Sequence, residues 1–173
     1  MSHYITTHNS SGHSTFSSSV PTSPHPIQIP GGTMSILYST HASPPSLNTE
    51  TDITQYSHDR TNGFDNGALC PPSGTAAAII TFAPDAVSAV HRTLTLDFMV
   101  IVEGVVELYL ESGEVRIMRA GDSVVQRGTM HWWKNVSPHG GVGEGDGYVH
   151  SVAIDIAKPF QVAGRTMETE FRM

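Results

Sequence analysis

The chain has 173 residues, of which 38% are hydrophobic and 14% charged, and it carries 16 glycines and 11 prolines. This length suits one domain with a real core, and the composition is typical of a turn-rich all-β protein rather than of a helical bundle. The net charge of −7, with only nine Lys and Arg residues, excludes the basic surface that nucleic-acid binding requires, so we expect no nucleic-acid partner.

Three further features bear on location. The single cysteine, Cys70, leaves no internal disulfide and suits a reducing compartment. No apolar run reaches the roughly eighteen residues of a membrane span. The first 49 residues contain no Lys, Arg, Asp or Glu, whereas secretory and mitochondrial signals need basic residues near the start. We therefore expect a cytoplasmic protein without membrane contacts.

Residues 1–26 are rich in Ser, Thr and His. Tyr4–Thr7 and Ser14–Ser17 are β-prone, and Asn9–Gly12 between them is a typical turn sequence. Because isolated hairpins are only marginally stable, we predict that residues 1–26 form an N-terminal β-arm whose short hairpin packs on the rest of the chain or on a partner.

The next segments alternate between apolar and polar stretches. Ile27–Pro30 and Met34–Ser39 are predicted strands on either side of two glycines. A polar stretch follows from residue 40 to residue 66, in which Ile53–Arg60 is a candidate short helix or turn. Thr75–Phe82 is a short apolar run, so we predict a buried strand there.

The second half of the chain has a period of two. Val106, Leu108 and Leu110 alternate with polar or aromatic residues, which indicates a strand with one buried face. Similar short runs separated by glycine-containing turns cover residues 88–102, 115–118, 123–126, 131–133 and 148–156. Strands of this spacing predict a sandwich or a closed barrel. The glycine-rich loop Gly140–Gly147 is either a lid over the barrel mouth or a surface excursion.

Two histidines and a carboxylate stand in these strand-like segments. Four positions of the same parity follow one another: His91, Thr93, Thr95 and Asp97. On a regular strand all four side chains point to one face, which in a barrel lines the interior. Together with His131 on a later strand, they supply two imidazoles and a carboxylate, a set that suits Fe(II) and similar metals when the imidazoles are neutral. The same set could transfer protons without a metal, or serve structure alone.

The first of these segments resembles the first motif of the cupin superfamily, G-x5-H-x-H-x3,4-E-x6-G. His91 and Gly104 match the motif, whereas Thr93 replaces the second histidine and Asp97 replaces the glutamate. The resemblance implies a metal site with three protein ligands instead of four.

The second segment resembles the second cupin motif, G-x5-P-x-G-x2-H-x3-N. Gly128, His131 and Asn135 match the motif with Gln126 in place of the proline, and Gly121 stands for its first glycine with four intervening residues instead of five. The two motifs imply an all-β fold, a single cupin jelly-roll barrel over residues 27–173 with its core motifs in residues 86–135, preceded by the N-terminal β-arm.

The chain is also similar to small single-domain cupins of fungal polyketide pathways, usually described as cupin-domain oxidoreductases. This resemblance implies an enzyme of secondary metabolism that acts on a small aromatic or polyketide-derived intermediate, and a homodimer formed through the N-terminal arm. We expect His91, Asp97 and His131 to be the catalytic residues and the ligands of a divalent metal ion, Fe(II), Zn or Mn. We expect the substrate to contact Thr93, Thr95, Gln126 and Trp133.

Two other functions remain open at this point. One is an isomerase, dehydratase or cyclase in which His91 and His131 exchange protons and Asp97 tunes one of them. The other is a cupin that binds a small molecule without catalysis. No G-x-G-x-x-G turn is present, so we expect no nicotinamide or flavin site. A redox reaction would need the metal itself or a diffusible cosubstrate.

Overall fold

The computed structural model describes residues 2–65, 68–138, 149–157, 161–162, 165–166 and 168–172. The glycine-rich loop Gly140–Gly147 lies outside the described residues. Fifteen strands and one helix are present in the described part: β1 Thr6–His8, β2 Ser14–Phe16, β3 Ile27–Ile29, β4 Gly32–Thr40, α1 Thr51–Asn62, β5 Thr75–Phe82, β6 Val90–Arg92, β7 Thr95–Glu103, β8 Val105–Leu110, β9 Val115–Arg119, β10 Ser123–Arg127, β11 His131–Asn135, β12 Val149–Ala157, β13 Gln161–Val162, β14 Arg165–Thr166 and β15 Glu170–Arg172.

Two antiparallel sheets carry most of these strands. One has the order β10-β7-β12-β5-β4-β3, and the other has the order β15-β6-β11-β8-β9. Most strands that follow one another in the sequence belong to different sheets, as in a jelly roll. The predicted all-β jelly-roll fold is confirmed.

The core lies between the two sheets. Phe82, Met99 and Ile101 of the first sheet pack with Leu108 and Trp133 of the second. Strand β7 shows why the strands form: its odd-numbered residues from 95 to 101 are buried, while Phe98, Val100 and Val102 on the other face are exposed. This alternation is the period of a strand with one buried face.

The chain passes from one sheet to the other between β6 and β7. β6 pairs with β11 and β15, whereas β7 pairs with β10 and β12. Thr93 and Leu94 belong to neither strand. The expectation of one regular strand from His91 to Asp97 is therefore wrong, because each half of the segment hydrogen-bonds with a different sheet.

The predicted short helix at Ile53–Arg60 is a complete helix, α1, which packs on β4. Ile53 and Tyr56 are buried against Ile36 and Val20. Asp59 is also buried, and its carboxylate accepts hydrogen bonds from Ser39 Oγ at 2.6 Å and His41 Nε2 at 2.8 Å. These polar partners offset the cost of burying the charge.

The N-terminal residues form a hairpin in which Thr6 pairs with Phe16. Asn9 Oδ1 accepts backbone hydrogen bonds from residues 11 and 13 in the turn. Beyond the hairpin, the guanidinium of Arg60 donates to the carbonyl oxygens of Pro21 and Ser23. These residues thus contact α1 of their own chain.

Nothing in the described part of the chain forms a helix with the length and apolar character needed to traverse a bilayer.

Candidate functional site

A cavity of about 290 Å³ lies between the two sheets. Its wall is mostly apolar and includes Phe82 and Met99 from one sheet and Trp133 and Phe171 from the other. Among the described residues, polar side chains reach it at four positions, Ser88, His91, Asp97 and His131. A small number of polar groups in a mostly apolar cavity is typical of small-molecule binding sites.

The two histidines stand side by side at this cavity. His91 on β6 and His131 on β11 are directly opposite each other in the antiparallel pairing. Their ring centres are 4.3 Å apart, with an angle of 55° between the ring planes. The cross-strand register therefore brings together two motif histidines that are separated by 39 residues of sequence.

Backbone hydrogen bonds orient both imidazoles in the same way. The Nδ1 atom of His91 lies 2.8 Å from the carbonyl oxygen of Ala89, and Nδ1 of His131 lies 2.8 Å from that of Thr129. Because a carbonyl oxygen can only accept, each Nδ1 carries the proton and donates it. Each Nε2 then carries a lone pair, available to a metal ion or to a proton.

His131 lies in an environment that disfavours its charged form. Its side chain is buried, with 3% exposed. Burial, and secondly the neighbouring His91, lower the pKa of His131 to about 4, although the hydrogen bond to Thr129 acts in the opposite direction. At neutral pH the imidazole of His131 is therefore uncharged, which is the form that binds metals.

Asp97 faces the same cavity from the other sheet. It is buried on β7, where its backbone lies opposite Gln126 on β10. Within the ranges that the structure describes, however, no three His, Cys, Asp or Glu side chains come close enough together to hold a metal ion. The predicted set of His91, Asp97 and His131 is thus a close histidine pair with a carboxylate farther away, because the change of sheet after His91 separates Asp97 from it.

The four expected substrate contacts lie in three places. Trp133 lines the histidine cavity, with its ring edge-on to His131 at a centroid distance of 6.0 Å. Thr93 and Thr95 are buried, and their hydroxyl oxygens are 2.7 Å apart, so they bond to each other at the strand break instead of lining this cavity. Gln126 lines a different cavity.

Phe171 is a cavity residue that the sequence analysis missed. Strand β15 pairs with β6 so that Phe171 lies opposite His91. The two rings are stacked, with centroids 5.7 Å apart and planes 11° apart. Arg92 Nη2 and Glu170 Oε2, 2.8 Å apart, form an ion pair that holds β15 in place. A strand of three residues has too few positions to show a period in the sequence.

Asn135, the last residue of the second motif, has a structural role. It is buried, and its Nδ2 donates to the carbonyl oxygens of Phe82 at 3.3 Å and Ala83 at 2.9 Å. Its Oδ1 accepts from the backbone N–H of Ser137. Asn135 therefore fixes the end of β11 to the loop after β5, and with it the position of the cavity wall.

No family model matches the chain, but several curated proteins are similar to it. It is 37% identical over 166 residues to the cupin-domain-containing oxidoreductase srdD of Neurospora crassa. This alignment covers 95% of this chain and 80% of that protein. It is 38% identical over 136 residues to the phomopsin biosynthesis cluster protein C' of Diaporthe leptostromiformis, covering 78% of this chain and 70% of that protein.

Among solved structures, KdgF from Halomonas sp. aligns with a TM-score of 0.47 and 18% identity, covering 75% of this chain and 84% of that chain. The sequence similarity to the Neurospora crassa protein covers most of both chains, and two motif histidines meet at the cavity. The chain belongs to the family of cupin-domain-containing oxidoreductases found in fungi.

Proposed function

We propose that this protein is an enzyme of secondary metabolism, a metal-dependent oxidoreductase that acts on a small aromatic or polyketide-derived molecule beside His91 and His131. The observation that carries the proposal is the pair of oriented imidazoles, 4.3 Å apart, at an apolar cavity. Similar proteins are named for oxidoreductases and for biosynthesis clusters, which supports both the reaction class and the metabolic context.

The cavity wall supports the substrate class. Phe82, Trp133 and Phe171 supply three aromatic rings, which favour a flat, apolar ligand because aromatic rings stack or meet edge to face. The volume of about 290 Å³ is at the small end of the roughly 300–1,000 Å³ typical of ligand sites. A molecule of one or two rings matches this space.

The donor atoms fit a divalent metal ion. A metal-bound histidine generally donates its other ring N–H to a carbonyl or carboxylate, and both His91 and His131 donate Nδ1–H to the backbone. Asp97 lines the same cavity but does not complete a set of three ligands with the two histidines, so its carboxylate would reach the ion through water. Imidazole nitrogen with carboxylate oxygen suits Fe(II), Zn or Mn.

The residues at the cavity would have separate roles in the reaction. His91 and His131 would hold the ion through Nε2, and Asp97 would balance its charge. When bound, such an ion supplies Lewis acidity toward a substrate oxygen and, in the case of iron, redox chemistry. Trp133 and Phe171 would orient the substrate ring and keep water from the reacting atoms.

Proton transfer without a metal is the second candidate. The short distance between the two imidazoles favours it, because one imidazole could remove a proton from a substrate while the other donates one. The pKa of about 4 for His131 argues against this residue as a base at neutral pH, since the best catalytic base has a pKa near the working pH. An isomerase, dehydratase or cyclase is therefore the less favoured function.

The test is product formation in a producing organism that carries variants of this chain. We expect His91→Ala and His131→Ala each to abolish the product, whereas His13→Ala, in the exposed turn of the N-terminal hairpin, leaves it unchanged. Intact product in both cavity variants would instead favour a binding protein without catalysis. Turnover by purified protein that resists chelation would favour the acid–base alternative.

We also propose that the protein forms a homodimer, through the outer face of β7 and β10 instead of the expected N-terminal arm, whose residues Pro21 and Ser23 bond to α1 of their own chain. Phe98, Val100, Val102 and Val125 are between 42% and 55% exposed there, and Phe98 lies opposite Val125. Apolar patches of this kind mark interaction surfaces. We favour a second copy of the chain as the partner at this face. Asp97 points inward, and the other described residues of β7 up to position 102 and of β10 include no acidic side chain. Two chains of charge −7 could meet there with little repulsion.

A further inference from the structure

A second cavity of about 280 Å³ opens between β8, β9 and β10. The described residues that line it differ from those that line the histidine cavity. Its inner end is formed by the buried Leu108 and Gln126 and the partly buried Leu110 and Val124, and exposed charged residues such as Arg116 stand at its rim. The cavity therefore connects solvent with an apolar interior.

Gln126 is the polar group at the inner end of this cavity. Its side chain is only 2% exposed. Its Oε1 accepts a hydrogen bond from Thr129 Oγ at 2.9 Å, but its Nε2 is buried and has no hydrogen-bond partner among the described residues. A buried donor without an acceptor is rare and costs stability. Leu108, Leu110 and Val124 line the cavity beside it, and the packing of the described residues does not use this donor.

We propose that the second cavity binds a small, neutral, apolar molecule that carries a carbonyl oxygen, with Nε2 of Gln126 donating a hydrogen bond to that oxygen. The leucine and valine side chains would cover the apolar body of the ligand. A neutral ligand fits better than a carboxylate, because the two arginines among the described lining residues, Arg116 and Arg127, are exposed and would not balance a negative charge at the buried end. This site goes beyond the proposed reaction and does not depend on a metal or on the histidine pair.

The pairing of the strands places this cavity next to the histidine cavity, because the side chains of directly paired residues lie on the same face of a sheet. Gln126 lies opposite Asp97 across β10 and β7, and Leu110 lies opposite His131 across β8 and β11. In each pair one residue faces the histidine cavity and the other faces the second cavity. A ligand of the second cavity therefore has its own contacts, which can be altered without touching His91, His131 or Asp97.

The test uses acetophenone and ethylbenzene, two probes of similar size of which only the first has a carbonyl group. Both are titrated into the full chain, and the side-chain N–H₂ signals of Gln126 are followed by NMR, assigned by their loss in Gln126→Leu. We expect acetophenone to shift these signals and to bind about fivefold more tightly than ethylbenzene, as one neutral hydrogen bond predicts. The two probes should bind Gln126→Leu with equal affinity. The control is Gln55→Leu, on the exposed surface of α1, which should retain the difference in affinity between the two probes.

Two further variants probe the second cavity. Gln126→Leu should melt no lower than the wild type, because it removes an unpartnered buried amide. Val124→Trp should fill the cavity and abolish the binding of both probes there. Equal affinity of the two probes for the wild type, or acetophenone shifts at the histidines but not at Gln126, would overturn the proposal.

Discussion

His91 and His131 form a cross-strand pair whose two rings point the same nitrogen away from the backbone. They lie opposite each other on β6 and β11, and each donates Nδ1–H to the carbonyl oxygen two residues before it, at 2.8 Å. The strand register sets their distance, and the backbone sets their tautomer. A site of this kind is preorganised before any ligand arrives.

The first prediction concerns the pH dependence of folding stability. His131 has its pKa lowered from 6.5 to about 4 in the folded chain. Below pH 6.5 His131 becomes protonated in the unfolded chain but stays neutral in the folded chain. The free energy of unfolding therefore falls as the pH drops toward 4. We expect metal-free protein to lose roughly 2 to 3 kcal/mol through this residue between pH 7 and pH 4.5.

Denaturant unfolding of the wild type and of His131→Gln at these two pH values checks this prediction. Other groups titrate in both proteins, so the difference between the two losses is the quantity to compare. The variant should lose less stability than the wild type. An equal loss in both proteins would show that the pKa of His131 is not lowered by folding.

The second prediction concerns Asp97. If its carboxylate supports the ion held by the histidine pair, Asp97→Asn should weaken metal affinity by roughly 10- to 100-fold, as loss of a supporting group does at other metal sites. Glu103→Gln, at the exposed end of the same strand, is the matched control and should leave the affinity unchanged. Competition with a chromogenic chelator measures both values, and equal affinities in the two variants would remove Asp97 from the site.

The third prediction concerns Phe171, which stacks on His91. Its side chain is 60% exposed, so Phe171→Ala should cost little stability. Loss of one aromatic contact should raise KM about three- to tenfold, with the metal content unchanged. Phe171→Tyr retains the ring and should stay close to the wild type. A fall in kcat at constant KM would contradict a role in substrate binding.

The fourth prediction concerns assembly. Val100→Asp places a charge in the outer face of β7, where Val100 is 42% exposed, and should convert a dimer into a monomer of 18.6 kDa. Leu47→Asp alters another exposed apolar residue, 74% exposed, and should remain dimeric. Light scattering after size-exclusion chromatography gives the masses. A wild type that is already monomeric at high concentration would refute the proposed interface.

The parts of the fold that the sequence predicted are those with regular spacing. The alternation around Leu108 and the glycine-punctuated second motif placed β8, β10 and β11, because a period of two has one buried face. The same spacing placed His131 on a strand.

Features that depend on pairing between distant segments escaped prediction. Parity placed His91 and Asp97 on one strand, but hydrogen bonding with different sheets separates them at Thr93. The donor of Gln126 and the stacking of Phe171 arise from tertiary packing. Local sequence spacing carries no information about such contacts, since they are set by which strands become neighbours.

The metal content of purified protein tests the central claim most directly. After reconstitution with Fe(II), Zn or Mn in turn and removal of free ions, elemental analysis should find about one tightly held ion per chain for at least one metal. The wild type and His13→Ala should retain it, and His91→Ala and His131→Ala should lose it. Equal metal content in all four proteins, or no retained ion in a wild type that forms product, would contradict a metal site at the histidine pair.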